Sequence, residues 1–168
     1  MTQINVKEAI QTAIQMEKDG YNFYKKAAAQ TTSSMGKEIF ESLAHDEELH
    51  LEVFQKLFDE QVGKSEWDDL VNSSKKYANL SVFPKDLQSS AEGHPSTNEL
   101  DALRMAMDSE KEAIDYYSKI FSCAADEQAK QIINEIISQE KSHYFLLEQE
   151  FNHLSSTGYW YELDYLGG

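Results

Sequence analysis

Four segments of this chain carry apolar residues at alternating spacings of three and four, and a glutamate interrupts each stripe. The first reads Ile10, Ala13, Glu17, Gly20, Tyr24, and the second Phe40, Leu43, Glu47, His50, Phe54. The third reads Ala106, Glu110, Ala113, Tyr117, and the fourth Ile133, Ile136, Glu140, His143, Leu147. Such spacing places each set on one face of an α-helix. With only two prolines and seven glycines to break regular structure, the chain is expected to be all-α, burying the four faces in a four-helix bundle.

The punctuation divides the helices unevenly. Asn5 stands three residues before Glu8, a capping-box spacing that opens helix one. A Thr/Ser-rich break at Gln30 to Ser34 separates it from helix two, which runs to about Glu60. Gln61 to Pro95 holds both prolines and dispersed apolar residues, and reads as a long crossover with one or two short helical turns. Ser96 and Glu99 repeat the capping-box spacing at the start of helix three. A short break at Ser122 to Asp126 leads into helix four, which Gly158 stops. Residues 1–158 thus form one bundle domain with a long crossover between helices 2 and 3. The tail 159–168 is too short for a comparable fifth helix.

An isolated carboxylate in an apolar interior is costly unless a positive charge or a proton compensates it. Four carboxylates and two imidazoles fall on these interior stripes, and none of the stripes supplies a Lys or Arg. The heights agree. Glu17 lies 13 residues before Gln30 and Glu47 lies 13 after Ser34, while Glu110 lies 12 before Ser122 and Glu140 lies 14 after Asp126. At about 1.5 Å per residue the four glutamates occupy nearly one level. A shift of 93 positions also superposes Glu17 on Glu110, Tyr24 on Tyr117, Glu47 on Glu140 and His50 on His143. Each helical hairpin therefore contributes one Glu followed by one Glu-x-x-His, like the halves of a two-fold site. A pair of divalent metal ions is the compensating charge this arrangement calls for. The alternative is a metal-free structural or interaction bundle whose glutamates face solvent.

The expected metal ligands are Glu17, Glu47, His50, Glu110, Glu140 and His143, with Glu47 and Glu140 as bridges and one histidine per ion. Oxygen-rich sites of this kind suit iron or manganese, and zinc can occupy them in purified protein. Tyr24 and Tyr117, two turns beyond Glu17 and Glu110, are placed to hydrogen-bond across to ligand carboxylates, or else are core aromatics. Asp46 is a candidate to orient a histidine, and its counterpart under the 93-residue shift is Gln139. A third Glu-x-x-His, Glu150 with His153, has no counterpart in the first half and is assigned to the helix end or surface. His45 reads as a flanking residue, Met16, Met35, Met105 and Met107 as packing, and Cys123 as buried filler.

Fifteen Lys+Arg against 30 Asp+Glu give a formal net charge of −15. That excess repels nucleic acid and anionic membranes at long range. A single cysteine excludes an internal disulfide and a thiolate metal knuckle. With no signal-like start and no long apolar run, the composition predicts a soluble protein of the reducing cytoplasm.

The segments MEKDGYNFY at 16–24, DEELH at 46–50, SEKEAIDYY at 109–117 and QEKSH at 139–143 resemble the rubrerythrin branch of the ferritin-like diiron superfamily. The resemblance runs from about Val6 to His153. It implies a ferritin-like bundle holding two irons at the six residues named above, and reduction of hydrogen peroxide. It also implies a homodimer, in which helices can be exchanged between subunits. Typical relatives carry a further glutamate one turn after the helix-three ligand, where this chain has Ala113, and a four-cysteine rubredoxin domain, which Cys123 alone cannot build. Electrons for peroxide or dioxygen reduction are thus expected from an external donor protein. The six-ligand set also keeps ferroxidase or iron-binding function of ferritin type open, and oxidation of an organic substrate as a third possibility.

Overall fold

The computed structural model describes residues 6–61, 95–124 and 127–161. Four helices account for nearly all of them: α1 (Val6–Gln30), α2 (Ser34–Gln61), α3 (Pro95–Cys123) and α4 (Glu127–Thr157). The fold is an all-α four-helix bundle. The Asn5 cap, the short helical turns expected in the crossover and the end of the tail lie outside the described residues. No described helix is long and apolar enough to cross a membrane.

Local chemistry explains the helix ends. Ser33 caps α2: its carbonyl accepts from Lys37 N at 3.0 Å and its hydroxyl from Gly36 N at 3.4 Å. Gly158 ends α4 in the left-handed conformation, φ +78°, with its N–H donating to the Leu154 carbonyl at 2.9 Å.

The topology follows from contacts at one end. Thr32, in the α1–α2 turn, donates from its backbone N to Glu99 Oε1 at 3.0 Å, and Trp160, just beyond α4, donates from Nε1 to Glu99 Oε2 at 3.1 Å. The start of α3 and the end of α4 therefore meet the first turn. The 28-residue α2 ends about 42 Å away from that end, at which α3 then begins. Besides the two hairpins, α1 packs on α3 and α2 on α4, which makes every neighbouring pair antiparallel.

Two of the sequence expectations need correction here. α3 already begins at Pro95, so Ser96 lies inside its first turn and is not its cap, and Glu99 turns its carboxylate across the bundle to Thr32 and Trp160. Cys123 is exposed at the end of α3, where the helix opens toward solvent, and fills no core space.

Trp160 forms a clasp over the first turn. It is buried, packs edge-on against Phe40 at 5.7 Å, and lies so close to Gly36 that a Cβ there would stand 2.4 Å from its ring. Gly36→Ala is accordingly expected to lower stability by about 1–3 kcal/mol through overpacking, despite alanine's better helix propensity. Urea unfolding checks the loss; a gain would show that the indole moves aside freely.

The apolar core is split in two. One cluster, at the clasped end, includes Phe23, Tyr24, Phe40, Leu43, Leu103, Ala106, Leu147 and Trp160. The other includes Ala13, Ile14, Met16, Phe54, Ala113, Tyr117, Ile133 and Ile136. Between them lies a layer of charged side chains.

Candidate metal centre

Each helix brings one glutamate to that layer, and the two following helices of the hairpins, α2 and α4, add a histidine one turn later. Glu17, Glu47, Glu110 and Glu140 are at most 2% exposed, and His50 and His143 are buried with them. They form two overlapping groups. Glu17, Glu47, His50 and Glu140 offer donor atoms within 4.8 Å of one another, as do Glu47, Glu110, Glu140 and His143. Glu47 and Glu140 belong to both.

The imidazoles present Nδ1 to the carboxylates. His50 Nδ1 lies 3.0 Å from Glu17, 3.2 Å from Glu140 and 3.6 Å from Glu47. His143 Nδ1 lies 3.2 Å from Glu140 and 3.7 Å from Glu110. The Nε2 atoms point away: that of His143 donates to Asp46 at 3.2 Å, and that of His50 to Gln139 Oε1 at 2.8 Å. The two rings stack at 5.8 Å. The tyrosines reach across the bundle, Tyr24 donating to Glu110 and Tyr117 to Glu17. The six acidic and imidazole residues of the repeat thus share one layer, Tyr24 and Tyr117 reach into it from the two flanking clusters, and Asp46 and Gln139 join it behind the imidazoles.

Without metal this layer is electrostatically crowded. Burial and the charges of Glu17 and Glu140 push Glu47 well above the usual carboxylate range. Burial and Glu140 push Glu110 up to about 8. Burial also pushes Glu140 up, but hydrogen bonds from His143 and His50 more than offset it and hold that carboxyl below its ordinary value. Burial disfavours charge on the imidazoles, yet the carboxylates overcome it. His50 is raised chiefly by Glu17, and His143 by Asp46 up to about 12. Tyr24 and Tyr117 are pushed well above their ordinary value by burial and by Glu110 and Glu17 respectively, so both keep their protons.

The donor set fits two divalent cations. Glu47 Oε1 and Glu110 Oε2 are buried without a hydrogen-bond partner, a costly condition that a cation would relieve. Four carboxylates and two neutral imidazoles balance two divalent charges, leaving no net charge in the interior. This is a diiron-type ligand cluster. Ala113 is buried in the neighbouring apolar cluster and contributes no carboxylate.

The remaining candidates lie outside the cluster. His45 is on the surface beside Glu48, with 65% of its side chain exposed. Met16 is core, and Met35, Met105 and Met107 pack partly buried on the clasped-end cluster. Glu150, expected at the helix end or surface, lies two turns before the end of α4 and is 1% exposed, which corrects the surface alternative. It accepts the Tyr161 backbone N–H at 3.1 Å and holds the start of the tail. The clasp residues Glu99, Trp160 and Gly36 are contacts between distant segments that no helical period announces.

Comparison with known proteins agrees with this architecture. A hypothetical protein from Pyrococcus furiosus has a similar structure, with TM-score 0.72, 25% identity, and coverage of 93% of this chain and 94% of that one. No curated protein matches significantly. The profile of the Rubrerythrin family matches residues 8–151, and with that span, this bundle and this ligand cluster, the chain belongs to the rubrerythrin family.

Proposed function

We propose that this protein holds two iron ions and reduces hydrogen peroxide, or dioxygen, with electrons from an external donor protein. The observation that carries the reading is the pair of buried groups sharing Glu47 and Glu140. Glu17 and Glu110 would each hold one ion, Glu47 and Glu140 would be shared, and His50 and His143 would offer Nδ1. When bound, ferrous iron at both positions supplies two electrons to an oxygen substrate, one from each ion. Manganese fits the same donors, and zinc can occupy them in purified protein.

The chain's own residues prepare the site. Asp46 and Gln139 accept the Nε2 protons, which leaves the Nδ1 lone pairs for metal. Tyr24 and Tyr117 fix the terminal carboxylates from across the bundle. The two apolar clusters exclude bulk water above and below the layer. We assign electron delivery to a separate redox protein, since the described bundle itself offers no four-thiolate iron site. A homodimer interface would cover large apolar side chains such as Phe145, 57% exposed.

Ala113 favours one second reading, ferroxidase chemistry. A six-residue ligand set without a further carboxylate suits oxidation of ferrous iron by dioxygen as well as peroxide reduction. The two are separated by anaerobic reconstitution with ferrous iron, elemental analysis, and stopped-flow absorbance after addition of either oxidant. Two irons per chain, oxidised faster by peroxide and reduced again by an added donor, are expected. Faster oxidation by dioxygen moves the assignment to ferroxidase; a folded protein without stoichiometric metal overturns both.

A further inference from the structure

We propose that the two metal positions are inequivalent: the one built on His143 binds its ion tightly and retains it, while the one built on His50 binds weakly and exchanges with solvent. This inference rests on the binuclear reading above. Most of the site cancels in the comparison, because the pseudo-two-fold repeat gives each position the same parts. Each has one terminal glutamate, a tyrosine donating to it, one Nδ1 donor and the two shared carboxylates.

Two features do not cancel, and they point the same way. The first is the acceptor behind each imidazole. His143 Nε2 donates to the Asp46 carboxylate at 3.2 Å, whereas His50 Nε2 donates to the neutral Gln139 amide oxygen at 2.8 Å. A carboxylate acceptor makes the ring a stronger electron donor at its other nitrogen and adds negative charge near the ion. Positions 46 and 139 correspond under the 93-residue shift, so the difference is a substitution within an otherwise matched frame.

The second feature is the pair of unpartnered oxygens. Glu47 Oε1 and Glu110 Oε2 both belong to the His143 group. In the His50 group Glu17 is already paired at both oxygens, one with Tyr117 and the other with His50. Filling the His143 position therefore relieves two buried unmet acceptors, and filling the His50 position relieves at most the shared one.

The position bound less tightly also has a route for exchange. A cleft of about 290 Å³ between α2 and α4 is lined by Leu49, Val53, Ile132 and Ile136 and by His50 and Gln139. Glu52, Glu135 and Lys56 line it as well, so two carboxylates outweigh one ammonium along a cation's path.

Titration of the metal-free protein with cobalt(II), an absorbing divalent ion, tests this directly. Two steps are expected, the first at least about tenfold tighter, with one ion released rapidly to a chelator. Asp46→Asn is expected to weaken the first step by about 10–100-fold, the usual effect of losing an outer hydrogen-bond partner, and to leave the second unchanged. Gln139→Glu is expected to tighten the second step and narrow the gap. Circular dichroism of each metal-free variant reports folding; should Asp46→Asn fail to fold, Gln139→Glu decides alone. Two equal steps in the native sequence, or a Gln139→Glu variant that leaves the second step unmoved, overturn the inference while leaving the binuclear reading intact. No cobalt bound by folded protein overturns the binuclear reading itself.

Discussion

Glu47→Gln is expected to abolish stoichiometric binding of both metal ions and to lower peroxide-reducing turnover by more than about 100-fold, a loss above that of an outer-sphere change, while leaving the metal-free fold as stable as the native sequence or more so. Glu47 contributes to both donor groups, so one substitution removes an anionic oxygen from each. In the metal-free chain the same side chain is a burden. It is 2% exposed, faces Glu17 and Glu140, and is held well above the usual carboxylate range by burial and by those charges. A glutamine of nearly the same shape presents the neutral state that the crowded interior already favours. It removes the tendency to ionise, and with it the repulsion. Function and stability thus pull in opposite directions at this position, as expected where a site is assembled for a ligand. Elemental analysis, turnover and urea unfolding of metal-free protein measure the three effects. Two tightly bound ions in the variant would show that Glu47 is not shared. A large loss of metal-free stability would show that its ionised form supports the fold. Glu17→Gln provides the contrast: it touches only the His50 group and is expected to cost one ion.

That tension explains why the centre was so legible in the sequence. A glutamate at a core position of an amphipathic stripe contradicts the pattern around it, and four such contradictions at one height admit few explanations. The tyrosines were legible for the same reason, since the repeat carried Tyr24 and Tyr117 to equivalent inward positions. Helical period says less about chemistry one layer out. In the sequence Gln139 is only the counterpart of Asp46 under the 93-residue shift; the distances show that both hold an imidazole nitrogen. The clasp was less accessible still. Gly36, Glu99 and Trp160 meet across separations in sequence that no local rule connects. Cys123 and Glu150 show the limit of reading burial from residue type. A hydrophobic thiol lies exposed at a helix end, and a carboxylate lies buried because Tyr161 returns a backbone donor to it. What a periodic pattern dictates is the face a residue occupies; whether that face is covered depends on where other segments return.

Between about pH 5 and 8 the metal-free protein is expected to lose stability with rising pH, whereas the loaded protein gains over it. Glu110 has an ordinary value of 4.5 and is pushed up to about 8 in the folded chain by burial and by Glu140. In that interval the folded state holds a proton that the unfolded state has released, so the slope of unfolding free energy against pH is negative. Glu47 acts in the same sense, and so does His143 from its ordinary value of 6.5 upward, since its folded value is about 12. The net charge of −15 adds general repulsion in the same direction. Glu140 works oppositely, but only in acid: held below 4.5, its contribution is complete above that pH and is lost as pH falls through its folded value. Metal ions reverse the trend because they replace the very protons that burial retains. Their affinity rises as ligands deprotonate, and each ion at 100 times its dissociation constant stabilises the fold by about 2.7 kcal/mol. The melting temperatures of loaded and metal-free protein should therefore lie close together near pH 5 and diverge steadily toward pH 8. Loading in weak buffer at pH 7 should release the protons held on Glu47, Glu110, His50 and His143. A metal-free protein whose stability rises across this range would mean that its buried carboxyls are already ionised and compensated by something other than metal. Loading without proton release would place the ions away from these six residues.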